Sequence, residues 1–405
     1  MSRRINLNVN LNFYSLGVRM SAKRHESTID AFFALVRTGL WADVESTDIR
    51  NLGFTESIDW DEVYQIAEEQ SVIGVVLAGI EHSNVKPPQE LLLQWIGEVQ
   101  MLEQQNKSMN LFIADLVEWL RKADIHTLLV KGQGIAQCYE SPLWRSSGDI
   151  DLLLDDNNYI KAQKYFSILA SNSIGELKEE KHQEFEIGPW IVEIHGNMPT
   201  YFSKRTDEML EKIKTNAFKN GYYRYWKFND TEIKLLGIDA DVLFVFTHIL
   251  KHFFRGGIGL RQICDWCRLL WTYRSEIDRN LLEERVKAMG LMTEWMSFAA
   301  LAVNKLGYPA DDMPLYSDKV KWIRKSYRIM DFILRTGNFG HNRDSSYYKK
   351  YPFIVTKILS FYWRFADNFR YALIFPLDSI RVTMWMLRHG FNDLKRTNWM
   401  KSPIA

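Results

Sequence analysis

Arg145-Ser146-Ser147-Gly148-Asp149-Ile150-Asp151-Leu152-Leu153-Leu154 is the stretch on which the reading of this chain turns. Ile150 to Leu154 is a short apolar run of strand character, and alternation along a strand sends Asp149 and Asp151 to one face. Two like charges side by side in an apolar strand repel and need a counter-charge. A divalent cation is the simplest one, and hard oxygen ligands without Cys or His favour Mg²⁺ or Mn²⁺ over zinc. A strand end carrying two solvated aspartates is the plain alternative. A lone Asp-x-Asp does not separate the two.

Three neighbours give the pair its chemical context. Upstream, His126 to Val130 reads as a β-rich run closed by Lys131-Gly132, with a helix predicted from Gly132 to Tyr139. At such a strand-to-helix turn, free backbone N–H groups and a flexible glycine receive phosphate, with Lys131 as a point charge. Arg145 is a second cation beside the pair. Downstream, Ile191-Val192-Glu193-Ile194-His195 reads as a buried strand with an acid at its centre, able to supply a third carboxylate. His195, two residues on, shares the face of Glu193, where it serves as base, phosphate ligand or packing.

Outward from this centre the texture changes. Residues 1–25 are Asn-rich, unpatterned and read as a loose tail; 26–125 is helical, 126–238 mixes strands and helices, and 239–405 returns to helical periodicity. In the first helical region, Gly39 is expected to stop a helix carrying Ile29, Phe32, Phe33, Leu35 and Val36. Asp59 with Glu62 resembles a capping box, and a long helix is predicted over Gln89 to Lys122. In the middle region a helix is expected over Asn158 to Ala170. Strands are expected at Glu184–Ile187 and Trp190–His195, joined by a Gly188-Pro189 turn. The fold class is α+β, a core embedded between N-terminal and C-terminal helical regions.

Composition narrows the partners. Lys+Arg 51 against Asp+Glu 50 gives a net charge of +1, so no global basic field marks a nucleic-acid binder. Three cysteines, Cys138, Cys264 and Cys267, make no disulfide scaffold. No apolar run is long enough to span a bilayer, and the first twenty residues lack a signal-peptide apolar core, so a cytoplasmic location is expected. The aromatic share is 14%. It suits helix-packing cores, and in the helical segments beside the centre it is expected to build the walls of a substrate cleft.

Taken together, Leu129-Val130-Lys131-Gly132, Arg145 to Leu152 and Val192-Glu193-Ile194-His195 resemble the nucleotidyltransferases of the DNA polymerase β-like superfamily. More narrowly, they are similar to its bacterial group of uncharacterised nucleotidyltransferases. The likeness takes in Asp59-Trp60, Glu69 to Val72, Gly257 to Trp266 and Gly337 to Arg343, roughly residues 26 to 390. It implies a mixed sheet with flanking helices and a metal-dependent, ATP-binding type of enzyme. Such an enzyme transfers a nucleoside monophosphate from an NTP to a hydroxyl acceptor and releases pyrophosphate. It implies Asp149, Asp151 and Glu193 as catalytic metal ligands. Nucleotide or phosphate contacts would come from Lys131, Gly132, Gln133, Arg145, Gly148 and His195. One departure stands out: the superfamily's turn after the first strand reads Gly-Ser or Gly-Gly, and here it reads Lys131-Gly132-Gln133. That motivates an alternative, a non-catalytic nucleotide- or partner-binding module. An RNA-directed, toxin-type transferase is the enzymatic variant.

Other features are weaker. His248-x3-His252 and Cys264-x2-Cys267 invite zinc, but in reversed order and within helices among Phe244, Ile249 and Phe253. His248, His252 and Arg261 are better read as substrate contacts from the helical region, or as packed helix residues. Gly256-Gly257-Ile258-Gly259 follows a helix rather than a strand and reads as a C-cap. The polar loop Gly337 to Asp344 offers Asn, His and Arg toward substrate. Tyr351 to Ala405 carries 8 Lys/Arg against 3 Asp/Glu among aromatics, a surface for RNA or anionic membrane, or a packed helix pair with a basic face.

Overall fold

The computed structural model describes residues 27–41, 58–177, 181–200, 202–338, 353–384 and 387. The chain divides into two compact units, one of 1–106 with 139–146 and one of 107–138 with 147–405. In the first unit lie α1 (27–40), α2 (Trp60–Glu69), α3 (Ile73–Glu81) and the opening of α4 (Gln89–Lys122). Asp59 caps α2 as its sequence suggests, its carboxylate accepting from the Glu62 N–H at 3.2 Å. Gly39 does not stop α1, which runs to residue 40. A Cβ there would lie 1.9 Å from the Val75 carbonyl oxygen, and one on Gly79 would lie 2.0 Å from that of Leu35. These glycines let α1 and α3 touch backbone to backbone, and that packing overrides helix propensity.

The second unit is built on a seven-stranded mixed sheet, in the order β3-β4-β5-β2-β1-β7-β6. Its strands are β1 (Leu128–Val130), β2 (Asp149–Leu153), β3 (Asn172–Leu177), β4 (His182–Ile187), β5 (Trp190–His195), β6 (Tyr223–Phe228) and β7 (Thr231–Leu236). β1 runs antiparallel to β2 and parallel to β7, while β2 runs parallel to β5. Three of these strands had no expectation attached. β3 and β6 lie at the two sheet edges, β6 interrupts its aromatics with Arg224 and Lys227, and β7 carries Glu232 and Lys234 among its first four residues, so their apolar runs are short.

Alternation divides the central sheet into two chemically opposite faces. Ile150, Leu152, Phe185, Val192 and Ile194 are each at most 1% exposed and pack on one side. Against them lie Ile113, Leu116 and Leu120 of α4 and Ala162 and Phe166 of α6 (Asp156–Leu169). Phe166 and Phe185 stand 5.3 Å apart, and truncating either to Ala removes about 3–5 kcal/mol of packing. The residues between them, Asp149, Asp151, Glu193 and His195, therefore share the other face.

α7 (Lys204–Asn220) leads into β6 and β7, and beyond them the described elements are helical: α8 (Ile238–Arg255), α9 (Leu260–Thr272), α10 (Arg279–Met289), α11 (Met292–Leu306), α12 (Val320–Thr336) and α13 (Phe353–Ala372). Part of the aromatic excess is packed core. Phe246, Trp266, Trp295 and Phe298 are fully buried, with Phe246 and Trp295 centroids 4.7 Å apart and Trp266 and Trp295 4.9 Å apart. They are the core that joins α8, α9 and α11. Among the described residues, no helix is long and apolar enough to cross a membrane.

Candidate active site

Parallel register between β2 and β5 sets Asp151 opposite Glu193. Asp149, Asp151 and Glu193 thereby offer carboxylate oxygens that all lie within 4.8 Å of one another. Antiparallel pairing of β4 with β5 sets His182 opposite His195 on the same face. The His195 Nε2 lies 2.8 Å from Asp151 Oδ1 and 3.4 Å from Glu193 Oε2. The His182 Nε2 lies 3.1 Å from the same Glu193 oxygen. Asp151 is nearly fully buried, whereas Asp149 is open to solvent.

The counter-charge that the aspartate pair requires is partly supplied by the chain. The Lys131 ammonium sits 2.5 Å from Asp151 Oδ1. Burial works against the charge on Lys131, but Asp151, Glu193 and Asp149 together outweigh it and hold its pKa above the ordinary lysine value. The lysine reaches that position from an unusual backbone, with φ 57 and ψ −148. A non-glycine residue in this region carries about 1–3 kcal/mol of strain, and such strain concentrates at functional sites. Gly132 follows at φ 41, which glycine adopts at little cost. The predicted helix beyond it is a single turn, α5 (Gly132–Ala136).

The three carboxyls are not equivalent. Asp149 is pushed up to about 6, first by the charge of Asp151 and then by desolvation, with Lys131 and Arg261 pulling the other way. Glu193 is desolvated, yet its hydrogen bonds from His182 and His195 hold it well below the usual carboxylate range. His195 also resists desolvation: its bonds to Asp151 and Glu193 raise its pKa above the ordinary histidine value. An all-oxygen trio, mutually repulsive and only partly neutralised by Lys131, is a donor set suited to a hard divalent cation.

The remaining predicted residues fall in different settings. Gln133 is buried, and its amide donates to Ser147 Oγ at 3.0 Å, so its side chain ties α5 to the segment entering β2. Gly148 is exposed, with open space where a Cβ would stand. Arg145 is buried within the first unit, donating to the Ser146 carbonyl at 3.0 Å, while Asn106 donates to its own carbonyl. His248 and His252 lie one turn apart on α8 with ring centroids 4.3 Å apart and planes tilted by 60°. Both are held below the ordinary histidine range, His252 at about 3, by desolvation first and then by the nearby charge of Lys131. Arg261, on α9, acts electrostatically on Asp149. His182 had no expectation attached. Its signal was present in the alternation His182-Gln183-Glu184-Phe185-Glu186-Ile187, whose buried members Phe185 and Ile187 put His182 and Glu184 on the polar face.

A family model described as "Uncharacterised nucleotidyltransferase" matches residues 56–307. The chain belongs to that family. No curated protein and no solved structure matches it. The nucleotidyltransferase match runs from before α2 through α11, so it contains Lys131, the three carboxylates and both pairs of histidines. No group among the described residues joins His248 and His252 to Cys264 and Cys267 as a metal cluster. Both thiols are buried in α9 and pushed up by burial. Of the loop Gly337 to Asp344, positions 339–344 lie outside the described residues, as do residues 1–25 and most of the segment after Met384.

Proposed function

We propose that this nucleotidyltransferase moves a nucleoside monophosphate from an NTP onto a hydroxyl acceptor, with Mg²⁺ or Mn²⁺ held by Asp149, Asp151 and Glu193. What supports the reading is one juxtaposition: the parallel register that sets Glu193 against an Asp-x-Asp pair, in a chain of this family. When bound, a divalent cation supplies charge neutralisation at the α-phosphate and alignment of the triphosphate. In the transfer, a bond forms between the acceptor oxygen and the α-phosphorus as the bond to pyrophosphate breaks. The acceptor hydroxyl gives up its proton to water, and pyrophosphate leaves with the electron pair of the broken bond. His182 and His195 keep Glu193 ionised across the neutral range and fix its orientation. Lys131 has a double assignment. It balances Asp151 before nucleotide enters, and it exchanges that carboxylate for a phosphate oxygen afterwards. Gly132 and Gly148 complete the phosphate contacts in this reading, and His248, His252 and Arg261 face the substrate from the helices.

Asp149→Asn tests it. The variant is expected to lose Mg²⁺-dependent NTP binding and pyrophosphate release while keeping its fold; unchanged transfer sinks the assignment. A second reading draws on the Lys131–Asp151 pair, which neutralises the buried aspartate without any ion. A non-catalytic nucleotide-binding module then binds NTP equally with and without Mg²⁺ and releases no pyrophosphate over a broad panel of hydroxyl acceptors.

A further inference from the structure

Glu193 is held by two imidazoles, and their arrangement is more specific than the orientation of one carboxylate requires. His182 and His195 are cross-strand partners. Their ring centroids stand 4.8 Å apart with planes 21° apart. Both Nε2 atoms converge on one oxygen, Glu193 Oε2, at 3.1 and 3.4 Å. Ligand atoms at about 2.0–2.1 Å from a tetrahedral zinc stand about 3.3 Å from one another. The observed separations bracket that value. The three side chains are each 18% exposed, open enough for an ion to enter and shielded enough to hold it. Glu184, paired with Glu193 in the β4–β5 register, adds a negative charge on the same face.

We propose that His182, Glu193 and His195 form a second metal site, one that bears nitrogen ligands and takes a borderline transition-metal dication of the Zn²⁺ or Co²⁺ type. The all-oxygen trio of Asp149, Asp151 and Glu193 favours a hard ion, whereas two imidazoles and one carboxylate rank metals in the opposite sense. Glu193 belongs to both sets, so the two ions share a ligand. The histidine site does not depend on nucleotidyl transfer: it stands on ligand geometry alone.

The test uses the full-length chain, stripped with chelator and titrated with Co²⁺ in the absence of nucleotide. A visible d–d band that saturates at one equivalent and is displaced by Zn²⁺ is expected. Two exchangeable, paramagnetically shifted imidazole N–H signals should appear in the wild-type spectrum, which needs no variant to fold. His182→Ala should weaken Co²⁺ binding more than about 100-fold, beyond the roughly 10–100-fold loss when a residue only orients a ligand. Asp149→Asn should leave the band in place, because Asp149 is outside this set. The assignment is overturned by the absence of the band, by a band that His182→Ala leaves unchanged, by fewer than two imidazole signals, or by equal loss in Asp149→Asn. Intact Mg²⁺–NTP binding in Asp149→Asn would overturn the transfer reading and leave the cobalt result standing, so the two failures are distinguishable.

Discussion

Lys131 is the residue at which charge and backbone strain meet, and two substitutions separate their contributions. Lys131→Met removes the ammonium 2.5 Å from Asp151, whose side chain is only 3% exposed. Breaking a buried pair from one side destabilises by about 3–5 kcal/mol. His195 stays at 2.8 Å from the same oxygen, so the lower end, about 3 kcal/mol, is expected. Lys131→Gly loses the same ammonium but relaxes φ 57, ψ −148, returning about 1–3 kcal/mol of strain. Against this stands about 0.5–1 kcal/mol for the larger unfolded-state entropy of glycine. The glycine variant should therefore be the more stable of the two by about 1 kcal/mol. Two units need not unfold in one step, so the local measurement is amide hydrogen exchange in β2, over Ile150 to Leu153. At about 1.4 kcal/mol per decade, Lys131→Met should exchange about 100-fold faster than wild type, and Lys131→Gly several-fold slower than Lys131→Met. Saturating Mg²⁺ should slow both variants more than wild type, because the ion replaces the missing charge. Wild-type exchange rates in Lys131→Met would refute the electrostatic argument. A glycine variant no slower than the methionine variant would refute the argument from strain.

Further outcomes follow from the same physics. Asp149, raised to about 6 from an unfolded value near 4, binds a proton more tightly when folded. The stability of wild type relative to Asp149→Asn should therefore fall as pH rises from about 4 to about 6, and added Mg²⁺ should cancel the fall; denaturation midpoints across that range check it. In the first unit, Gly79→Ala forces a Cβ to 2.0 Å from the Leu35 carbonyl oxygen and should destabilise by about 1–3 kcal/mol or more. Gly97→Ala, where a Cβ meets nothing within 4 Å, should instead stabilise α4 by up to about 1 kcal/mol, a contrast readable by thermal melts. Phe166→Ala should lower stability by about 3–5 kcal/mol and accelerate exchange in β4 and β5, against which that ring packs.

The sequence determined what depends on local periodicity. Period-two alternation in Asp149-Ile150-Asp151-Leu152 and in Val192-Glu193-Ile194-His195 was enough to set the carboxylates on one face of their strands, since that alternation is a property of the backbone. α4 and β5 have the boundaries their patterns predict, and the turn at Gly188-Pro189 joins β4 to β5. What local pattern does not encode is which strand lies beside which. Strand order made Glu193 the neighbour of Asp151, and it brought His182 across from His195. Charge compensation was equally beyond the sequence. The aspartate pair called for a cation, and only the tertiary structure answered with Lys131, held in a conformation that no propensity favours. Gly39 shows the same limit from the other side: its reading as a helix stop fails because the close approach of α3, a contact distant in sequence, is what the missing side chain serves.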